Sequence, residues 1–137
     1  MPLQLNLSVP TSLIADMTVE YVQLPSEEGS MGVLQNHAPL RAALEPGVVT
    51  ARDLEHKNHF FFVSSGLAMI KDNVVTILAD TAEKAESIDE TRARNAGDRA
   101  RQRIQSPSPN IDRARAEAAL ARSIARINAK HKSSSSH

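Results

Sequence analysis

Asp89 and Arg92 stand three residues apart in the run Ile88-Asp89-Glu90-Thr91-Arg92-Ala93, a spacing that puts a carboxylate and a guanidinium on one face of a helix. Arg99 follows two helical turns beyond Arg92, and Arg122 and Arg126 lie four apart further along. Guanidinium forks match phosphate oxygens in a bidentate way, so two such helices closing on each other would bring four arginines to one anion. Asp89 would then accept from a ligand hydroxyl or amine while orienting Arg92. On spacing alone, the competing reading is a solvated face whose arginines pair with neighbouring acids. The pattern is that of a chain that senses a charged ligand rather than one that transforms it.

Other chemistries find less support. The chain has no cysteine, which removes disulfides, thiol catalysis and thiolate metal sites. None of its five glycines lies in a phosphate loop ending in Gly-Lys-Ser/Thr. His37, His56, His59, His131 and His137 make no pair with metal-ligand spacing on a helix, and His56 and His59 read as solvent-facing polar residues of a hairpin turn. No motif links a serine to His37 and an orienting acid. A nucleic-acid surface is disfavoured, because Glu83, Glu86, Asp89, Glu90, Asp98 and Glu117 interrupt the arginines and no helical aromatic is available to stack bases.

The elements that must position these arginines change character near residue 81. Net charge is zero, yet residues 1–80 carry four basic and nine acidic side chains, and residues 81–137 carry twelve basic and seven acidic. A split of this kind separates two functional parts. Before residue 81, Leu3, Leu5, Leu7 and Val9 alternate with polar residues, the period of a half-buried strand. Thr18–Leu24, Gly47–Arg52, Phe60–Ser64, Leu67–Ile70 and Val74–Leu78 read as further strands. Turns are expected at 25–29 and at Lys71-Asp72-Asn73. Short strands at this spacing indicate a sandwich or barrel. With aromatics at 3%, its core must be aliphatic.

After residue 81, Ser87 and Glu90 fit a capping box for a helix reaching about Ile104, with a stripe of Ala93, Ala96, Ala100 and Ile104. Gly97, in its middle, costs roughly 1 kcal/mol relative to alanine. Pro107 and Pro109 break it, and Asn110 is placed to cap a second helix reaching about Ala129. The apolar positions of that helix are Ala114, Ala118, Ala121 and Ala125, with Leu120, Ile124 and Ile127 beside them. An alanine-lined hairpin buries little area, so its pairing is expected to be weak and movable. The expected division is a β-domain over 1–84, a helical hairpin over 85–130 and a disordered tail over 131–137. The N-terminus lacks signal-peptide features and no apolar run approaches the ~20 residues of a membrane span, so a soluble chain is expected.

At this point the sequence resembles the epsilon subunit of bacterial and chloroplast F-type ATP synthases, over residues 1 to about 130. Four segments carry the resemblance in order: the run from Gly29 to His37-Ala38-Pro39-Leu40, Val63-Ser64-Ser65-Gly66-Leu67, Val75 through Glu83, and Ile88-Asp89-Glu90-Thr91-Arg92-Ala93. Departures from the family pattern are Ser30 for an acidic residue, Gln35-Asn36 for Pro-Gly and Ser65 for glycine. They bear on contacts with the rotor ring.

The resemblance implies an N-terminal β-sandwich of about ten strands followed by an antiparallel two-helix hairpin. It implies a non-catalytic subunit that joins the gamma stalk to the membrane rotor c-ring and brakes ATP hydrolysis when its helices extend towards the catalytic alpha and beta subunits. ATP is the implied regulatory ligand, holding the folded form, with no catalytic cofactor and no metal. The implied nucleotide-binding positions are Glu83, Ile88, Asp89, Arg92, Arg99, Arg122 and Arg126. The implied location is the cytoplasmic face of the bacterial plasma membrane, with the membrane reached only through the complex. The alternative is a purely structural coupling subunit that binds no nucleotide.

Overall fold

The structure, a computed structural model, describes residues 2–106 and 112–135. Nine strands lie within them: β1 (Leu3–Val9), β2 (Ser12–Ser26), β3 (Gly29–Val33), β4 (Leu40–Leu44), β5 (Gly47–Asp53), β6 (Asn58–Val63), β7 (Gly66–Lys71), β8 (Val74–Ala79) and β9 (Ala82–Lys84). A single 3-10 turn at Ala85–Ser87 leads to helices α1 (Glu90–Gln105) and α2 (Arg113–Ser135). The sandwich and the two-helix segment are as expected, with nine strands rather than ten among the described residues.

The long strand β2 makes the sandwich. Its first half pairs with β1 and its second half with β3 and β5, so one strand serves both layers. The ladder order is β1-β8-β7-β4-β2-β5-β6-β9, with β1 running parallel to β8 and returning to β2. β1 alternates as its sequence demands, burying Leu3, Leu5 and Leu7. β2 does not keep strict alternation. A register shift between Val19 and Tyr21 slips the phase by one, so Val19 and Val22 both face inward. Period-two reasoning places Val19 and Val22 on opposite faces, and the bulge is what brings them together.

The expected turn at 71–73 is found as a two-residue loop in which Asp72 and Asn73 both have positive φ (52° and 63°). That is the turn whose twist suits a hairpin, and Asp and Asn tolerate it without glycine. Pro25 and Ser26 belong to β2 rather than to a turn, because Ser26 pairs with Gly29 and the reversal falls on Glu27–Glu28. The short strands β3, β4 and β9 lack a legible period in the sequence; each is held by pairing to a longer neighbour.

Among the described residues, the sandwich core contains no helical residue. Its members run from Leu3 to Ala79, joined by partly buried neighbours such as Met31 and Ala82. A second, smaller cluster joins the helices to the sandwich: Phe62, fully buried, packs with Ala85, Ile88, Ala125 and Ala129. Helix α2 thus docks on the outer face of β5 and β6, and α1 packs on α2.

Three helix details differ from the sequence expectation. The N-cap of α1 is Asp89, whose Oδ1 accepts from the Arg92 N–H at 3.0 Å, and Ser87 belongs to the 3-10 turn before it. Asp caps as well as Ser, and being adjacent to Glu90 it wins the position. Asn110 lies outside the described residues; the first turn of α2 is capped by Asp112, which accepts from the Arg115 N–H at 3.2 Å. The buried face of α2 is Ala116, Ser123, Ala125 and Ala129, not Ala114, Ala118 and Ala121, which are exposed. The face is split because α2 has two partners.

The tail expected to be disordered is helical through Ser135. Lys130 Nζ donates to Glu86 O at 3.1 Å, and His131 Nε2 meets the Glu90 carboxylate. Ser134 donates to the Lys130 carbonyl at 3.1 Å. The contacts of Lys130 and His131 with the 3-10 turn and the start of α1 outweigh the weak helix propensity of the serines. Residues 136 and 137 lie outside the described residues.

Candidate functional site

The site is assembled by three short stretches that the fold brings to one place. Glu83 lies on β9, directly opposite Phe62 of β6 in the antiparallel ladder. Arg126 of α2 reaches down to this pair: its Nε donates to Glu83 Oε1 at 2.8 Å, and its guanidinium lies 4.3 Å from the Phe62 ring centroid. The ring face and the carboxylate together hold the fork in place. Ile88, nearly fully buried, anchors the segment between the 3-10 turn and α1 against Phe62. Asp89 and Arg92 then open α1 beside that anchor, and Arg99 follows along the helix.

A cavity of about 530 Å³ lies between these groups, lined by Glu83, Ser87, Ile88, Asp89, Arg92, Ala93, Ala96, Arg99 and Arg126. Six of the seven positions singled out in the sequence line it. Arg122 does not. It lines the next cavity along the hairpin, of about 570 Å³, with Arg103, Asp112 and Arg115. Arg103 and Arg115 escaped the sequence reading, although Arg103 stands four residues after Arg99 and Arg115 seven before Arg122, the same helical faces.

The carboxylates here are already engaged. Asp89 caps α1, and Glu83 pairs with Arg126. Arg92 and Arg99 have no carboxylate partner among the described residues. The cavity therefore presents guanidinium donors and the start of α1, with both of its carboxylates engaged within the chain, which suits a phosphate-bearing ligand.

A second set of titratable groups lies at the β5–β6 turn. His56 Nδ1 and Arg52 Nε both contact Glu20 Oε1 at 2.7 Å, and His59 Nε2 contacts Asp53 Oδ2 at 2.8 Å. The two histidines face solvent at this turn, as the sequence reading has them, and each also pairs with a carboxylate. The His56 hydrogen bond, then that of Arg52, lowers the pKa of Glu20. The His59 hydrogen bond, aided by the backbone N–H groups of Lys57 and Glu55, holds Asp53 at about 2. Asp53 Oδ1 accepts from those two N–H groups at 3.0 and 2.9 Å, so this cluster shapes a turn. No group of three or more metal-ligating side chains occurs among the described residues, and no described helix is long and apolar enough to cross a membrane.

Fold and cavity together define a class: a β-sandwich module that carries a docked helical hairpin lined with arginines. Comparison with known proteins narrows it. The family model for the ATP synthase delta/epsilon chain β-sandwich domain matches residues 2–85, and that for the delta/epsilon chain long α-helix domain matches residues 86–131. The chain belongs to the ATP synthase delta/epsilon chain family. It is 45% identical over 125 residues to the ATP synthase epsilon chain of Nitratidesulfovibrio vulgaris (strain DP4), covering 91% of this chain and 92% of that one. It is 42% identical over 127 residues to the epsilon chain of Moorella thermoacetica, covering 93% and 95%. Among solved structures, a chain of the Euglena gracilis mitochondrial ATP synthase (OSCP/F1/c-ring) matches with a TM-score of 0.81 and 27% identity, over 97% of this chain and 81% of that one. A chain of the Tetrahymena thermophila central stalk and c-ring shares the fold, with a TM-score of 0.58 and 12% identity.

Proposed function

We propose that the chain is the epsilon subunit of an F-type ATP synthase, a non-catalytic part of the central stalk. In this reading the sandwich joins the gamma stalk to the rotor c-ring at the cytoplasmic face of the bacterial membrane. The helical hairpin regulates hydrolysis: folded on the sandwich it permits turnover, and extended towards the alpha and beta subunits it inhibits. ATP is the ligand that holds the folded form. Family membership across both parts of the chain supports the subunit assignment.

The observation that carries the ATP reading is the 530 Å³ cavity, whose walls come from β9, the start of α1 and α2 at once. A ligand filling it contacts the sandwich and both helices, so it binds the folded arrangement and loses most of its contacts when the hairpin leaves. Such a ligand shifts the population by its differential affinity for the two states and by no more. The test is calorimetric titration of the isolated chain with ATP. Saturable binding is expected, and Arg92→Ala or Arg126→Ala should weaken it about tenfold or more, since each charge-assisted contact is worth roughly 1.5–3 kcal/mol. No saturable heat at millimolar ATP would end the ATP reading.

One observation favours the alternative, a purely structural coupling subunit. Asp89 and Glu83 already have partners within the chain, so the same residues also make sense as a helix cap and a dock for α2. The titration separates the two.

A further inference from the structure

The two helices carry nine arginines among the described residues, and they fall into two groups. Arg94, Arg101 and Arg113 pair with Glu90, Asp98 and Glu117 on their own helices. Arg92, Arg99, Arg103, Arg115 and Arg122 have no carboxylate partner among the described residues, and Arg126 pairs with Glu83. These last six repeat at the same intervals of seven and four on each helix, 92-99-103 and 115-122-126, so each helix presents them on one face. Because the helices run antiparallel, the two rows meet in reverse order. Arg92, Arg99 and Arg126 line the first cavity, and Arg103, Arg115 and Arg122 line the second. From Arg92 to Arg103 the helix rises about 16 Å.

We propose that this double row is one continuous track for a linear inorganic polyphosphate, longer than the triphosphate tail that the first cavity alone would hold. Six guanidinium groups face three carboxylates, and all three are committed: Glu83 to Arg126, Asp89 and Asp112 to the N–H groups of Arg92 and Arg115. Small side chains floor both cavities, Ala93 and Ala96 in the first and Ala116, Ala118 and Ala119 in the second. An unbranched chain with a charge on every unit fits such a floor. A nucleic acid would need surfaces for its bases, but among the described residues no aromatic lines either cavity, and Phe62 is fully buried beneath Arg126. The proposal shares the first cavity with the ATP reading and does not depend on it.

The test is titration of the full chain with tripolyphosphate and with a medium-chain polyphosphate, affinities expressed per phosphate, over a range of salt. The longer chain should bind at least tenfold more tightly and with a steeper salt dependence. Arg103→Gln with Arg115→Gln, both exposed positions, should abolish that gain. By analogy with single-stranded polyanions, it should also lower the log–log salt slope by about 0.7 per lost contact. Tripolyphosphate binding should be unchanged in the same variant. Arg94→Gln with Arg101→Gln, which removes equal charge off the track, should leave the gain intact. Equal affinity for the two probes, or an equal loss in both double variants, would overturn the track. So would equally tight binding of an oligothymidylate of matched charge, which would mark a general polyanion surface. Polyphosphate binding without ATP binding would end the ATP reading alone, and ATP binding without the length-dependent gain would end this proposal alone.

Discussion

Arg126 donates to Glu83 and lies on the Phe62 ring, so one side chain joins α2 to both strands of the β6–β9 ladder. Its loss would leave Glu83 without its partner and uncover the face of a buried ring together, which is why its effect on ligand binding belongs with the dock of the whole hairpin. Asp53 acts at the same scale and in isolation. Its native pKa of about 2 lies below the ~3.9 of an unfolded aspartate. The His59 hydrogen bond is the first cause, and the turn N–H groups follow. A depressed carboxylate stabilises the fold above the unfolded value, and this contribution fades as pH falls from about 4 through about 2. NMR titration of the Asp53 carboxyl carbon should give a midpoint near 2 in the native chain. His59→Ala should move it upward, and an unmoved midpoint would show that the turn N–H groups alone hold it.

At the scale of elements, Gly97 is read in the sequence as a weakness of α1, and the structure gives it a purpose. It is buried against α2, where an added Cβ would come within 3.2 Å of Ser123 Cβ. The glycine lets the two helices approach where larger residues would hold them apart. Gly97→Ala therefore has two opposed effects: a gain of roughly 1 kcal/mol in intrinsic helicity and a crowded hairpin. We expect the isolated hairpin to gain helicity by circular dichroism while the full chain binds ATP more weakly. Ser123→Gly in the same chain should restore the affinity, and the double-mutant cycle should show coupling between the two positions. Additive effects would mean that the contact at 97 and 123 does not set the helix spacing.

At the scale of the molecule, the division into two clusters governs what each part does alone. Among the described residues, the sandwich core draws no side chain from the helices, and the docking cluster draws Phe62, Val48 and Phe60 from the strands. A fragment of residues 1–84 should therefore melt cooperatively, with Phe62 newly exposed and binding a hydrophobic dye. A non-cooperative melt would place the hairpin within the folding unit. The converse test concerns regulation. In a reconstituted complex, removing residues 85–137 should raise ATP hydrolysis, most clearly at low ATP, where the ligand no longer holds the hairpin down. Equal hydrolysis by truncated and full-length complexes across ATP concentrations would leave the coupling role of the sandwich and remove the brake.

Patterns that depend on neighbours in the chain were legible without the structure. The alternation of β1, the Asp72-Asn73 hairpin and the change from strands to two helices in the last third of the chain all follow from local spacing, where backbone geometry dictates which side chains share a face. Of the seven positions that the resemblance to ordered family motifs singles out, six line one cavity. What the sequence by itself did not determine depends on non-local partners. The bulge that turns Val19 and Val22 to the same side exists because β2 must serve two layers. The helical tail exists because Lys130 and His131 meet Glu86 and Glu90, more than forty residues away in the chain. Arg122 belongs with Arg103 and Arg115 because antiparallel packing, not spacing along one helix, decides which guanidinium groups share a cavity. Periodicity fixes the face on which a side chain stands, and only the closing of one face on another decides what it meets.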